Sequence, residues 1–81
     1  MIHTKIFDYS IIENVLSGNT KPLTDKCAVF ILTDVNGTID GAIICFFDEN
    51  KDIVNEPIQL DKNTAQDLSL KLLSNKLLIG L

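Results

Sequence analysis

Arginine and tryptophan are missing from the 81 residues, which hold one histidine, one tyrosine, two cysteines and two prolines. The lack of arginine bears on partners. With seven lysines against eleven Asp and Glu, the protein has a net charge of −4. A protein that follows nucleic-acid phosphates presents a basic face, usually with guanidinium forks. Sequence-specific nucleic-acid binding is therefore not expected. One His and two separated Cys cannot assemble a structural zinc set. No glycine-rich segment offers a phosphate cradle either. No cofactor and no metal are expected. The N-terminus MIHTKIFDYS lacks the positive stretch, apolar stretch and small-residue cleavage site of a secretory signal. The longest apolar runs, CAVFIL (27–32) and AIICFF (42–47), have six residues each, against the ~20 a membrane span needs. These features predict a cytoplasmic protein without membrane contact, in which Cys27 and Cys45 stay thiols.

What the sequence does hold is aliphatic mass, with eleven Ile and eleven Leu. At 46% hydrophobic and 22% charged residues, with a mean hydropathy of +0.22, it is too apolar to remain disordered. Its length supports one domain, residues 1–81.

Periodicity and turn chemistry set the order of elements. Ile2 to Phe7 alternates as a short strand. Ser10 and Glu13 have the spacing of a capping box, followed by Ile11, Ile12, Val15 and Leu16 on one helical face. Gly18 stands where a left-handed cap would end that two-turn helix, and residues 19–25 read as a loop. Asn36-Gly37 lies between two β-rich runs, which predicts a hairpin of strands 26–35 and 38–47 closed by a two-residue type I′ turn. In that register Cys27 faces Phe46 and Ala28 faces Cys45, so the two thiols lie on opposite sides of the sheet. Ile53 to Leu60 forms a third strand, at an edge or broken, because Pro57 cannot donate to a ladder. A main helix starts at Asp61 or Asn63 and runs to about Leu78. The fold class is thus α+β: a short N-terminal strand and helix, a three-stranded antiparallel meander, and a C-terminal helix packed on the sheet.

The order helix, three strands, helix is similar to that of double-stranded RNA-binding domains, in topology alone. Their lysine-rich start of the final helix is absent, because Asp61 and Asp67 flank Lys62. Asp34 to Asp40 resembles the opening of a dockerin calcium repeat over seven residues. It departs in lacking Asp-Gly after Asn-Gly, and the strand AIICFF follows in place of a helix. Asp48, Asn50 and Asp52 occupy positions one, three and five of an EF-hand loop, but Ile53 and Gln59 stand where its Gly and bidentate Glu belong. Both segments read as Asx-type turns.

Two features point to partners. Residues 34–56 carry six acids against Lys51 alone, a net of −5 that supplies the whole excess. Asp34, Asp40, Asp48, Glu49 and Asp52 are the candidate partner-binding residues, since a focused negative field attracts basic protein surfaces. Secondly, CAVFIL and AIICFF are apolar on both strand faces, as in strands covered on two sides. The last helix adds a wide apolar arc that includes Leu70, Leu73 and Leu77. A homodimer through the sheet or this helix is the expected outcome, with those three leucines in the interface. Catalysis would have to use His3 with Cys27 or Cys45, and buried thiols are poor nucleophiles. The leading expectation is a non-enzymatic interaction module, an inhibitor or adaptor of the kind phages and mobile elements carry, acting through the acidic hairpin surface and the apolar helix. The alternative is a module that binds a small molecule or nucleotide at a homodimer interface, with Lys5, Lys26 or Tyr9 as contacts.

Overall fold

The computed structural model describes residues 2–16 and 24–80. Its centre is the hairpin of β3 (Lys26–Thr33) and β4 (Ile39–Phe47), joined to β5 (Ile53–Leu60) in an antiparallel meander. The N-terminal strand pairs with the other edge of β3, in two pieces: β1 (Ile2–Thr4) and β2 (Phe7–Asp8). One helix, α1 (Lys62–Ser74), packs on β4. A two-residue strand, β6 (Leu78–Ile79), then pairs with β1 and completes the order β5-β4-β3-β1-β6. The α+β class and the β3-β4-β5 meander follow the sequence reading. No helix among the described residues is long and apolar enough to cross a membrane.

The hairpin register is the expected one, with Cys27 opposite Phe46 and Ala28 opposite Cys45, but the turn that produces it is different. Gly37 N–H donates to Asp34 C=O at 3.0 Å, and Asp34 N–H to Thr38 C=O at 2.9 Å. Only Gly37 has positive φ, at +81°. The loop is therefore three residues, Val35 to Gly37, a type I turn followed by a left-handed glycine. Left alone, this would shift the register by one. A bulge corrects it: Leu32 pairs with Gly41 and Thr33 with Ile39, leaving Asp40 as the extra residue. The reason is amphipathic. In a regular two-residue hairpin Asp40 would stand opposite Thr33 on the α1 side, and Ile39 would face away from it. The bulge turns Ile39 onto the core and Asp40 out to solvent, which favours the wider loop by part of the ~2 kcal/mol that Ile burial is worth.

Three further expectations are corrected. The segment after Asp8 is not an α-helix but two 3₁₀ turns, Tyr9–Ile11 and Glu13–Leu16. Burial here repeats every third residue, at Tyr9, Ile12 and in part Val15, which suits three residues per turn. Tyr9 N–H is already committed to Asp25 C=O at 2.7 Å, and Asp8 in place of Ser10 acts as the cap. Gly18 and most of the expected 19–25 loop lie outside the described residues. Secondly, α1 stops at Ser74, not Leu78. Lys76 N–H bonds Leu73 C=O and Leu77 N–H bonds Leu72 C=O, at 3.0 and 2.9 Å, with Lys76 at φ +59°. That is a Schellman cap, with lysine at the position glycine favours. Leu78 and Ile79 thereby leave the helical arc and join the sheet, while Leu77 packs against the core. Thirdly, the N-terminal strand is broken at Lys5 and Ile6, where its pairing with β3 shifts by one residue.

Of the two possible starts for α1, Asp61 is the cap, its Oδ1 accepting from Thr64 N–H at 2.9 Å. Pro57 falls where β5 bulges, between Val54 opposite Phe46 and Ile58 opposite Ile44, beside Asn55 at φ +64°. The missing N–H costs no ladder bond there, and β5 is also the edge strand, as Pro57 implied.

The core forms on one side of the sheet. Cys27, Val29 and Ile31 of β3, with Ala42, Ile44 and Phe46 of β4, meet Ala65, Leu68 and Leu72 of α1. The 3₁₀ turns join from the same side. Tyr9 sets its ring edge-on to Phe46 at 5.4 Å, and Ile12 is fully buried.

Candidate functional site

Because α1 and the 3₁₀ turns share one side, the described elements leave the other side of the sheet without a covering layer. Alternation places Ala28, Phe30 and Leu32 of β3 on that open face with Ile43, Cys45 and Phe47 of β4. Ile53 of β5 and Ile79 of β6 extend it at the two edges. Ala28 and Cys45 are buried, while Leu32 is 42% exposed and Ile53 60%. His3 lies here too, stacked 6.3 Å from the Phe30 ring, its Nδ1–H donating to Thr4 C=O at 3.2 Å. Among the described residues, the doubled apolar pattern of the two strands is thus not absorbed by a second helical layer.

On the α1 side a smaller apolar groove of about 320 Å³ runs between the helix and the β1–β6 half of the sheet. Leu70 and Leu73, with Gln66 and Ser69, form its helical wall, facing Ile2, Ile31, Ile39 and Leu78. Leu70 is 67% and Leu73 53% exposed. These two of the three leucines expected in an interface share an open wall. Leu77 is half-buried against the protein's own core.

The five acidic candidates do not form one surface. Asp34 and Asp40 sit at the β3–β4 tip, while Asp48, Glu49 and Asp52 sit in the β4–β5 turn, at the opposite end of β4. The eight residue steps from Asp40 to Asp48 along β4, at ~3.3 Å each, hold the two groups about 26 Å apart. Two of the five are occupied in shaping turns. Asp34 Oδ1 accepts from the N–H groups of Asn36 and Thr38 at 2.8 and 3.0 Å. Asp48 Oδ1 accepts from those of Asn50 and Asp52 at 2.9 and 3.0 Å. The matching backbone bonds, Gly37 to Asp34 and Lys51 to Asp48, are both 3.0 Å. Asp34 to Thr38 and Asp48 to Asp52 are therefore the same turn built twice, with Gly37 and Lys51 (φ +65°) in its left-handed position. Asx-type turns are what the sequence predicts at both places. The repeated Asp-x-Asn spacing is the signal that reveals their equivalence. Asp40, Glu49 and Asp52 keep exposed carboxylates.

Among the described residues, no group of three or more His, Cys, Asp and Glu side chains is placed to hold a metal ion. The sequence matches no known protein family, curated protein or solved structure. Function rests on geometry alone.

Around the β4–β5 turn lies a broad cleft that gathers Lys5, Tyr9 and Lys26, three residues separated in sequence, together with Lys51. Asp8, Glu13, Asp25, Asp48 and Glu49 share its walls, so its charge is mixed. Burial, reinforced by the Glu13 carboxylate, raises the Tyr9 hydroxyl above its usual range, and Tyr9 stays a neutral hydrogen-bonding group. Burial pushes the Cys27 thiol up to about 12, with Asp8 adding to it, and burial also raises Cys45. Cys27 faces α1 while His3 lies on the open face, so these two cannot form a nucleophile and base.

Proposed function

We propose that the protein is a non-enzymatic interaction module, an inhibitor or adaptor, that binds its partner across the helix-free face of the sheet. The observation that carries this is the run of apolar side chains over β5, β4, β3 and β6 with no described element packed on it. Binding by strand addition is disfavoured. One edge is β5, with its bulge and Pro57, and the other is formed by β6 and β2, of two residues each. A face, more than an edge, is what the fold offers. The acidic β4–β5 turn lies beside Phe47 and Ile53 at one margin, where it would steer a basic partner surface. A second copy of the protein is the homodimeric form of the same reading. Action in the cytoplasm is part of the proposal, supported by two thiols on opposite faces that cannot pair with each other.

Affinity capture from the native host tests this with the unmodified protein and with the double variant Leu32→Lys, Ile53→Lys. Both positions are exposed, so folding is retained. Loss of the captured partner, or of a dimer seen by light scattering at low micromolar concentration, is the expected result. A partner held equally by both proteins would remove the sheet face from consideration. A second reading, a ligand-binding module, is favoured by one observation: Lys5, Tyr9 and Lys26 line a single cleft. A ligand-induced thermal shift without any partner protein would select it, since binding to the native state alone raises stability by mass action.

A further inference from the structure

The two equivalent turns differ at the residue after asparagine, and this difference has a chemical outcome. We propose that Asn36 is a site of spontaneous deamidation, through which the β3–β4 tip converts to a mixture of aspartate and isoaspartate. The reaction is intramolecular. Gly37 backbone nitrogen loses its proton to solvent base and attacks Asn36 Cγ. The new N–C bond closes a five-membered imide as the bond between Asn36 Cγ and Nδ2 breaks and ammonia leaves. Water then opens the imide at either carbonyl. One opening gives aspartate; the other gives isoaspartate, in which the backbone runs through the former Cγ. One water is consumed and one ammonia released, with no other reactant.

The structure favours this at Asn36. The asparagine is exposed, so base and water reach it. Gly37 carries no Cβ to obstruct closure, and the space a Cβ would take is empty, with nothing within 4 Å. Glycine also moves freely out of φ +81° as the ring forms. Against the reaction stands the 3.0 Å hydrogen bond from Gly37 N–H to Asp34, which has to break. Asn50 is an internal control for that term. Lys51 N–H makes the same bond to Asp48 at 3.0 Å, so the bond slows both sites alike. What remains different is the Cβ and the rest of the Lys51 side chain beside the attacking nitrogen. The product adds a carboxylate between Asp34 and Asp40. In its isoaspartate form it also lengthens a loop that is clamped by two bonds to Asp34 Oδ1.

The test is incubation of the folded protein in mildly alkaline buffer at physiological temperature. Peptide mapping then reads a mass gain of about one dalton and fragmentation separates isoaspartate from aspartate. Asn36 is expected to convert faster than Asn50 by on the order of tenfold or more, with isoaspartate among its products. The variant Lys51→Gly, which relieves a strained φ and should fold, is expected to bring Asn50 to a rate comparable with Asn36. Equal rates at Asn36 and Asn50 in the unmodified protein would overturn the proposal. So would conversion to aspartate alone, since direct hydrolysis makes no isoaspartate, or an Asn50 rate unmoved by Lys51→Gly.

Discussion

Thr4 is 4% exposed, and its hydroxyl oxygen accepts from the N–H of fully buried Val29 at 2.9 Å. The bond fills a gap in the sheet. Between Thr4 and Phe7 the N-terminal strand breaks, and the Thr4 hydroxyl reaches where a ladder carbonyl would otherwise stand. Thr4→Val keeps the shape and β-branching and removes only the acceptor. Hydrophobic reasoning alone makes this change neutral or favourable. The structure gives the opposite sign, because a buried donor left unpaired costs about 2 kcal/mol. For a domain of this size that corresponds to roughly 8–16 °C in Tm. Thr4→Ser keeps the acceptor and loses one methyl, about 1 kcal/mol. The expected order of stability is Thr above Ser above Val, whereas side-chain hydrophobicity alone would place Val first. Urea denaturation measures it, with an unchanged m-value showing that only stability moved. A Thr4→Val protein as stable as the original would refute this account of the Val29 N–H.

Lys51→Gly and Lys76→Gly each replace a residue held at positive φ and are expected to stabilise by about 1 kcal/mol apiece, read as a higher urea midpoint. Hydrogen bonds from Thr64 hold the Asp61 carboxyl below its usual range. Its stabilising contribution is therefore present above the unfolded-state value and lost as pH falls through the lower folded-state value. Helical circular dichroism should show this acid loss, and Asp61→Asn should weaken α1 and flatten the pH dependence. Neither Cys27 nor Cys45 should react appreciably with a thiol reagent in the folded protein near neutral pH. Both should react in urea, because burial disfavours each thiolate. Raising pH from 9.0 towards about 12 should progressively destabilise the fold, as the unfolded Cys27 thiol ionises before the folded one.

Where local chemistry and burial agree, the fold is legible from residue types. Asn36-Gly37 announces a hairpin, Asp61 caps its helix, and β5 runs over the residues its apolar spacing marks. Where a segment meets two demands, it is not. Ser10 and Glu13 have capping-box spacing, yet Asp8 supplies the cap and Tyr9 and Ile12 need burial three apart. Lys76 carries no mark of the left-handed conformation that ends α1, because glycine normally signals it, so Leu78 reads as helix and folds as strand. The acidic segment reads as one patch, and a nine-residue strand separates its halves. That the 3₁₀ turns join α1 on one side, so that no described element covers the other apolar face, depends on packing across the whole sheet, which no local pattern encodes.

Between Leu32 and Gly41 the hairpin contains two residues of slack, Val35 in the wide loop and Asp40 in the bulge. Either could be lost without forcing a slip in the pairs from Lys26–Phe47 to Leu32–Gly41. Removing Val35 would leave a two-residue Asn-Gly loop, and removing Asp40 would leave Ile39 on the core side of a straighter strand. The tip is thus decoupled from the core. Changes in its length, charge or covalent structure stay within it, while a one-residue slip below Leu32 would exchange the buried and open faces of an entire strand.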